Sequence, residues 1–466
     1  MENEKKSISP QDLTGGKKAF LILSVILLTV TAMMASYGGS IVLPSKLAEL
    51  NGMDFYSVNA ALASMGMMLA LPLVGMLCSK FGTKAVTLTG LILQVALRFI
   101  LMKITGVLPF TVIWTLIGVS GGLYISAPYA IMGAIVAPQE RAKYYGMLAT
   151  AAAIGSLLGP ALTGFVIDRF STNLALVAYV IFGIIPVIGL CSLYPNQKRP
   201  SAGKFDGAGI ALLVLAVCGI VLWLSLGGKL FAFVSPMGLS FLAVGVVCAV
   251  LLIIVEGKSA NPSVPIHMFR KKRFRFTFLI QMLMVAYPTC VMAYGIVYVT
   301  RIMGQSSLVG STVSMPQTIV QLICGVTLGA FVSKAFKKRF PVMGKLALIL
   351  YTAALVIFAC LKPNSPMFVI YIATAIGGVG QAISQSTFAA FFQTELEQAE
   401  FPAAQGMYQF ASSGASTVIT AVFGATLNMG FTLNHIFLLG ACLVGVATVI
   451  GFAGFRFPKE EIEAAA

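Results

Sequence analysis

The chain has 466 residues, of which 58% are hydrophobic and only 10% charged, with mean hydropathy +0.94; this excludes a soluble globular domain, where roughly a quarter of the residues are charged. The net charge of +16 does not make it a nucleic-acid binder, because the basic residues lie in short loops between apolar blocks and form no phosphate-tracking segment. The blocks have the roughly 20-residue length of membrane-crossing helices and lack the alternation of barrel strands.

In chain order, residues 1–18 form a polar tail without a cleavage pattern, and the block 19–43 is too long for a signal-peptide core, so it reads as a retained first span. It carries Tyr37 and Ser40. Span two, 57–78, runs into Gly75-Met-Leu-Cys-Ser79-Lys80, with Gly82 and Lys84 just beyond. Span three, 85–102, holds Arg98, about 21 Å beyond Lys84 along a helix; this cation either snorkels to the outer interface or binds an anion. Span four, 108–132, carries Tyr124 and Tyr129. Span five, 144–167, contains Gly155-Ser-Leu-Leu-Gly159-Pro160-Ala-Leu-Thr163-Gly164. Gly155 and Gly159 share one face that lets a neighbouring helix approach closely, and Pro160 removes a backbone hydrogen bond there. Asp168 ends this span, and span six covers 173–193.

The polar segments 194–206 and 256–275 bracket spans seven (207–226) and eight (238–255), leaving six spans on either side. Span nine, 276–299, places Tyr287, Tyr294 and Tyr298 within about 40° of one another on an ideal α-helix, a row suited to an amphipathic ligand; alternatively the rings pack against neighbouring helices or reach the outer interface, the reading preferred for Tyr298. Span ten, 308–332, carries Gln317 and Gln321 and ends in Gly329-Ala-Phe-Val-Ser333-Lys334, an echo of the hexamer that ends span two. Span eleven is 342–361. Span twelve, 366–391, carries Gln381 and Gln385, and span thirteen, 404–428, carries Tyr408, Gln409 and Ser412. Amides facing lipid would be costly, so the four glutamines should face the bundle, there bonding to one another or to a ligand. Span fourteen is 433–455.

These elements predict an all-α polytopic membrane protein. It comprises a cytoplasmic tail (1–18), a six-helix bundle (19–193), a linker with two inserted spans (194–275), a second six-helix bundle (276–457) and a second cytoplasmic tail (458–466). With both termini inside, most Lys and Arg fall in cytoplasmic segments, among them Lys17, Lys18, Arg141, Lys143 and the run Arg270 to Arg273. The eight cysteines are scattered singly, and His267 and His435 have no partner at ligand spacing, so no metal, cofactor or catalytic cluster is expected. The expected partners are membrane lipid and a small-molecule substrate, with no nucleic acid, and the expected state is a monomer.

The span-five stretch resembles the fifth-helix exporter motif of the major facilitator superfamily, in its fourteen-helix drug-exporter branch. Gly75 to Lys84 resembles that family's loop between helices two and three. Pro138 to Lys143, Phe205 to Gly209 and Pro265 to Arg270 resemble the entries to helix five, the inserted pair and helix nine. The resemblance implies a bacterial inner-membrane transporter whose cavity is lined by spans one, two, four, five, nine, ten, twelve and thirteen. The substrate candidates are then Tyr37, Ser40, Tyr124, Tyr129, Tyr287, Tyr294, Gln317, Gln321, Gln381, Gln385, Tyr408 and Gln409. The conformational candidates are Gly75, Ser79, Lys80, Gly82, Lys84, Gly155, Gly159, Pro160, Gly164, Gly329, Ser333 and Lys334. The chain departs from the family pattern where Ser79 stands for the usual acidic residue, Ala35 lies near the helix-one acidic position, and Trp114 occupies the helix-four arginine position. No carboxylate is predicted at mid-membrane. A proton-independent exchanger or facilitator is therefore expected, or coupling through Asp168, with Arg98 as the other charge available. The function implied is movement of a small amphipathic organic solute by alternating access, with export favoured. Uptake or exchange of an organic anion is the alternative, and a polytopic receptor or enzyme is a rival of another class.

Overall fold

The computed structural model describes residues 15–196, 207–227, 231–258, 264–306, 309, 310, 312–458, 460 and 461. The expected tail residues 1–14 and 462–466, and Phe205 and Asp206 of the linker, lie outside the described residues. The described residues form fourteen helices long and apolar enough to cross a bilayer. We number these helical spans α1 (Gly15–Glu49), α2 (Met53–Phe81), α3 (Thr83–Leu101), α4 (Val107–Ile135), α5 (Arg141–Arg169), α6 (Thr172–Leu193), α7 (Gly207–Leu224), α8 (Pro236–Gly257), α9 (Lys272–Ile302), α10 (Thr312–Ser333), α11 (Phe336–Ala359), α12 (Met367–Glu395), α13 (Gln398–Leu427) and α14 (Leu433–Gly454). Among the described residues the one β feature is a single bridge between Gly227 and Phe231.

Composition explains why these segments are helices: in lipid every backbone N–H and C=O must be satisfied within the segment. Many large apolar side chains, such as Val247, Val250 and Ile254 of α8, are exposed, which suits contact with hydrocarbon. Three spans are interrupted in their interiors, α6 among them, where the helix breaks at Ala178 and Tyr179. In α4 the α-helix is interrupted at Ser126, just before Pro128. In α9 the winding is π-helical over Cys290–Gly295 and Tyr298–Ile302. By contrast, Pro160 sits inside the uninterrupted α5.

The described residues belong to two compact units, and neither is one continuous stretch. The first comprises Met1–Ala137, Ile154–His267 and Leu396–Met407; the second comprises Pro138–Ala153, Met268–Glu395 and Tyr408–Ala466. Thus the start of α5 packs in the second unit and the start of α13 in the first. In the first unit α1 packs on α6, and α4 packs on α2 and α3. Helices α7 and α8 pair through Gly219 and Gly245, and α7 also lies on α2. In the second unit α12 packs on α10 and α11, and α14 packs on α11 and α9.

Candidate functional site

The glutamines predicted on spans ten and twelve meet side by side. Gln317 Nε2 donates to Gln381 Oε1 at 2.5 Å, and one turn on Gln321 Nε2 donates to Gln385 Oε1 at 2.7 Å. Gln321 Nε2 also donates to the carbonyl of Ala149 in α5 at 3.2 Å. The Tyr287 hydroxyl donates to Gln317 Oε1 at 3.0 Å and lies 3.4 Å from the Thr374 carbonyl. The result is a two-rung amide ladder between α10 and α12, tied at one corner by a tyrosine.

Burial separates the roles of its members. Gln317 and Gln321 are buried and give their Nε2 groups to the ladder, whereas Gln381 and Gln385 are only half-buried. The Nε2 groups of Gln381 and Gln385 make no hydrogen bond within the described residues. An amide nitrogen carries two donor hydrogens. The ladder therefore presents two primary-amide donors from adjacent turns, about 6 Å apart along the helix. Chemically, two neutral donors at this spacing match a molecule with two hydrogen-bond acceptors.

Glycines bring the two helices together. A Cβ at Gly378 would sit 2.8 Å from the Gln317 carbonyl oxygen, and one at Gly377 would collide with the Tyr287 ring. Tyr287 is fully buried, with its ring centroid 4.6 Å from that of Tyr351, and Tyr351 in turn lies 3.0 Å from Ser384 Oγ. Sequence reasoning missed Tyr351, Ser384 and the Gly377–Gly378 pair. The legible signal was Gly377, Gly378 and Gly380 standing directly before Gln381.

The tyrosine row predicted on α9 does not form. Tyr287 points to Gln317, Tyr294 packs on Phe423 and donates to the Thr420 carbonyl at 3.4 Å, and Tyr298 packs on Phe437. The π-helical winding accounts for this, because it advances fewer degrees per residue than the α-helix on which a shared face was reckoned. Tyr298 is buried against a neighbouring helix and not at the interface, the first of the two placements expected for it. Tyr408, half-buried, packs against Phe392 with the rings tilted and centroids 5.5 Å apart, and Gln409 beside it is half-buried. In the first unit Tyr37 and Ser40 are exposed, Tyr124 is buried and Tyr129 is half-buried. These four are not part of the ladder.

Arg98 does not snorkel. It is buried, donating to the carbonyls of Leu176 at 3.3 Å and Ala35 at 3.1 Å, with its guanidinium 4.7 Å from the Tyr179 ring centroid. No carboxylate lies within ion-pair distance of it among the described residues. Asp168 is exposed near the end of α5. Within the spans the carboxylates sit at the ends, as Glu49, Asp54, Asp168, Glu256, Glu395 and Glu400 do. Among the described residues no group of three His, Cys, Asp or Glu could hold a metal ion, and all eight cysteines are free thiols.

The conformational candidates mark backbone-close crossings. A Cβ at Gly155 would sit 2.6 Å from the Val30 carbonyl oxygen, and one at Gly159 2.8 Å from that of Met34, both on α1. Gly164 has open space around it. Earlier on α5, Gly146 crosses α10 at Gly325 and Gly329, leaving no room for a Cβ at Gly146 or Gly329. A similar crossing in the first unit joins Gly75 of α2 to Ala403 of α13, with Gly406 against Leu71. Both echo glycines therefore serve the same purpose. Their serines differ: Ser333 donates to the Gln139 carbonyl, whereas Ser79 donates to Met76 within its own helix at 2.8 Å. Gly82 has φ +92°, a backbone suited to glycine, and Asn196 Nδ2 beside it donates to the Phe81 carbonyl at 2.9 Å. Lys84 Nζ donates to the Cys191 carbonyl at 2.6 Å, while Lys80 and Lys334 are exposed.

A family model described as the Major Facilitator Superfamily matches residues 25–416. The chain is 23% identical over 416 residues, 89% of its own length and 76% of the relative's, to "Multidrug transporter protein MdtP" of Bacillus subtilis (strain 168). It is 23% identical over 450 residues, 94% of its length and 87% of the relative's, to "Multidrug resistance protein 3" of the same organism. Among solved structures, the human organic anion transporter MFSD10 superposes with TM-score 0.68 at 14% identity, covering 93% of this chain and 99% of that one. A bacterial homologue of the iron transporter ferroportin superposes with TM-score 0.64 at 12% identity, covering 93% and 98%. These two likenesses show the fold.

Proposed function

The chain belongs to the Major Facilitator Superfamily, and from that premise we propose that this multi-pass membrane transporter exports a small, amphipathic, acceptor-bearing organic solute by alternating access. The observation that carries the proposal is the amide ladder, whose half-buried members Gln381 and Gln385 offer amide donors that meet no acceptor among the described residues, close to the Tyr287–Tyr351 ring pair. Neutral amides bind through directional hydrogen bonds and demand no charge of the ligand. Flat apolar groups add hydrophobic contact, which suits solutes of mixed character. The export direction draws support from the names of the relatives and from the glycine face of α5 against α1.

Coupling to protons through a buried carboxylate is not part of this proposal, because the carboxylates of the described spans lie at span ends. The two six-helix halves, the inserted pair as a separate module, and cytoplasmic placement of both termini are likewise proposed. A second function has one observation in its favour: Arg98 is a buried cation without a carboxylate counterion. That surplus fits uptake or exchange of an organic anion.

The test is accumulation of a panel of amphipathic dyes and of labelled aromatic acids in cells with and without the protein, each with and without an uncoupler. Lower accumulation of a dye in expressing cells, abolished in Gln381→Leu and Gln385→Leu, supports export through the ladder. Acid uptake stimulated by unlabelled acid on the opposite side supports exchange and overturns export. Unchanged accumulation in the two glutamine variants removes the ladder from the substrate path.

A further inference from the structure

We propose that the groove between α11 and α14 on the second unit holds an anionic phospholipid, its headgroup on Lys345 and Arg456 and one acyl chain along the helices. Three observations converge there. First, Lys345 Nζ lies 5.2 Å from the ring centroid of the exposed Phe452, and the Nε of Arg456 donates to the Phe452 backbone carbonyl at 3.0 Å, so two cations contact one residue at the end of α14. Neither cation has a carboxylate within ion-pair distance among the described residues. The described carboxylates of the segment after α14 are Glu460 and Glu461, and the latter is engaged by Arg273 at 2.7 Å.

Second, the surface leading away from these cations is apolar and open. Gly445, Val449 and Phe452 recur at spacings of four and three on α14, hence on one face. Val449 and Phe452 are exposed, and a Cβ at Gly445 would meet nothing within 4 Å. On α11, Lys345 and Ile349 share a face with Thr352, whose hydroxyl lies 3.3 Å from that of Thr448. That pair links the two helices beneath this face. Third, the order along the groove matches a lipid: cation and aromatic ring at the mouth, then branched and glycine positions deeper along the helices. Cations beside a membrane attract anionic headgroups, and a ring beside the head seats it at the interface.

Charge complementarity selects the occupant, since a zwitterionic lipid would leave both cations without a net counter-charge. The experiment uses the full-length protein, reconstituted with equal dioleoylphosphatidylglycerol and dioleoylphosphatidylcholine, extracted in mild detergent and weighed with its bound lipids by native mass spectrometry. Preferential retention of the phosphatidylglycerol is expected, reduced about fivefold by Arg456→Gln and further by Lys345→Gln with Arg456→Gln. Gly445→Leu, which fills the groove without altering charge, should lower retention as well. Arg456 is exposed, so its substitution leaves the fold in place, confirmed by gel filtration. Lys271→Gln removes a charge from the start of α9 and should change nothing. Equal retention of the two lipids, or an equal loss in Lys271→Gln, overturns the proposal. These readouts are independent of transport, so they stand apart from any failure of the export proposal.

Discussion

Arg98 shows how a buried charge is held without an opposite charge. Burying a guanidinium is costly unless its donors are satisfied, and here two carbonyls and the Tyr179 ring share it, while its Nε finds no hydrogen-bond partner among the described residues. Replacing it by Gln loses charge-assisted hydrogen bonds worth about 1.5 to 3 kcal/mol. Arg98→Gln should therefore lower the thermal midpoint of the detergent-solubilised protein, read by intrinsic fluorescence, while Arg98→Lys recovers part of it. An unchanged midpoint in Arg98→Gln would deny the residue that structural work. The glutamines had already been singled out as facing inward, from the cost of an amide in lipid. Bonding between the helices was one of the two readings open, but which glutamine meets which was not visible, because spacing along one helix says nothing about the register of its neighbour.

At the scale of elements, α5 is one helix with two glycine faces. Its start crosses α10 through Gly146, Gly325 and Gly329, and its later turns cross α1 through Gly155 and Gly159. The GxxxGP stretch announced the second crossing in the sequence, but the first depends on isolated glycines in three places. Gly329→Leu should abolish dye export while the protein still inserts, whereas Gly164→Ala, in open space, should export normally; both are read from efflux rate against membrane protein amount. Loss of export in Gly164→Ala as well would dissociate function from these crossings. The segment after α14 behaves as a strap. Phe457 lies among Phe336, Phe340 and Phe391, and Arg273 reaches Thr394, Glu395 and Glu461. Since Arg273 serves three partners and Glu461 is partly exposed, Arg273→Gln should lower the melting temperature more than Glu461→Gln. Equal effects would mean that the strap contact alone accounts for the contribution of Arg273.

For the whole molecule, the alternating placement of Lys and Arg predicts both termini in the cytoplasm. Single cysteines introduced at positions 8 and 460 of a cysteine-free chain should react with a membrane-impermeant maleimide only after permeabilisation. Labelling of either in intact cells would reverse the proposed orientation. The number of helices and the family were legible from sequence alone, since the bilayer imposes a length and an apolar composition on every span. Which side chains meet was decided by tertiary structure. The π turns of α9 dispersed a tyrosine row that α-helical spacing had aligned, and the glycines of α12 brought four separate glutamines into one ladder. Periodicity is a property of one helix, whereas a site is a property of the crossings between helices, which small residues and local changes of winding determine.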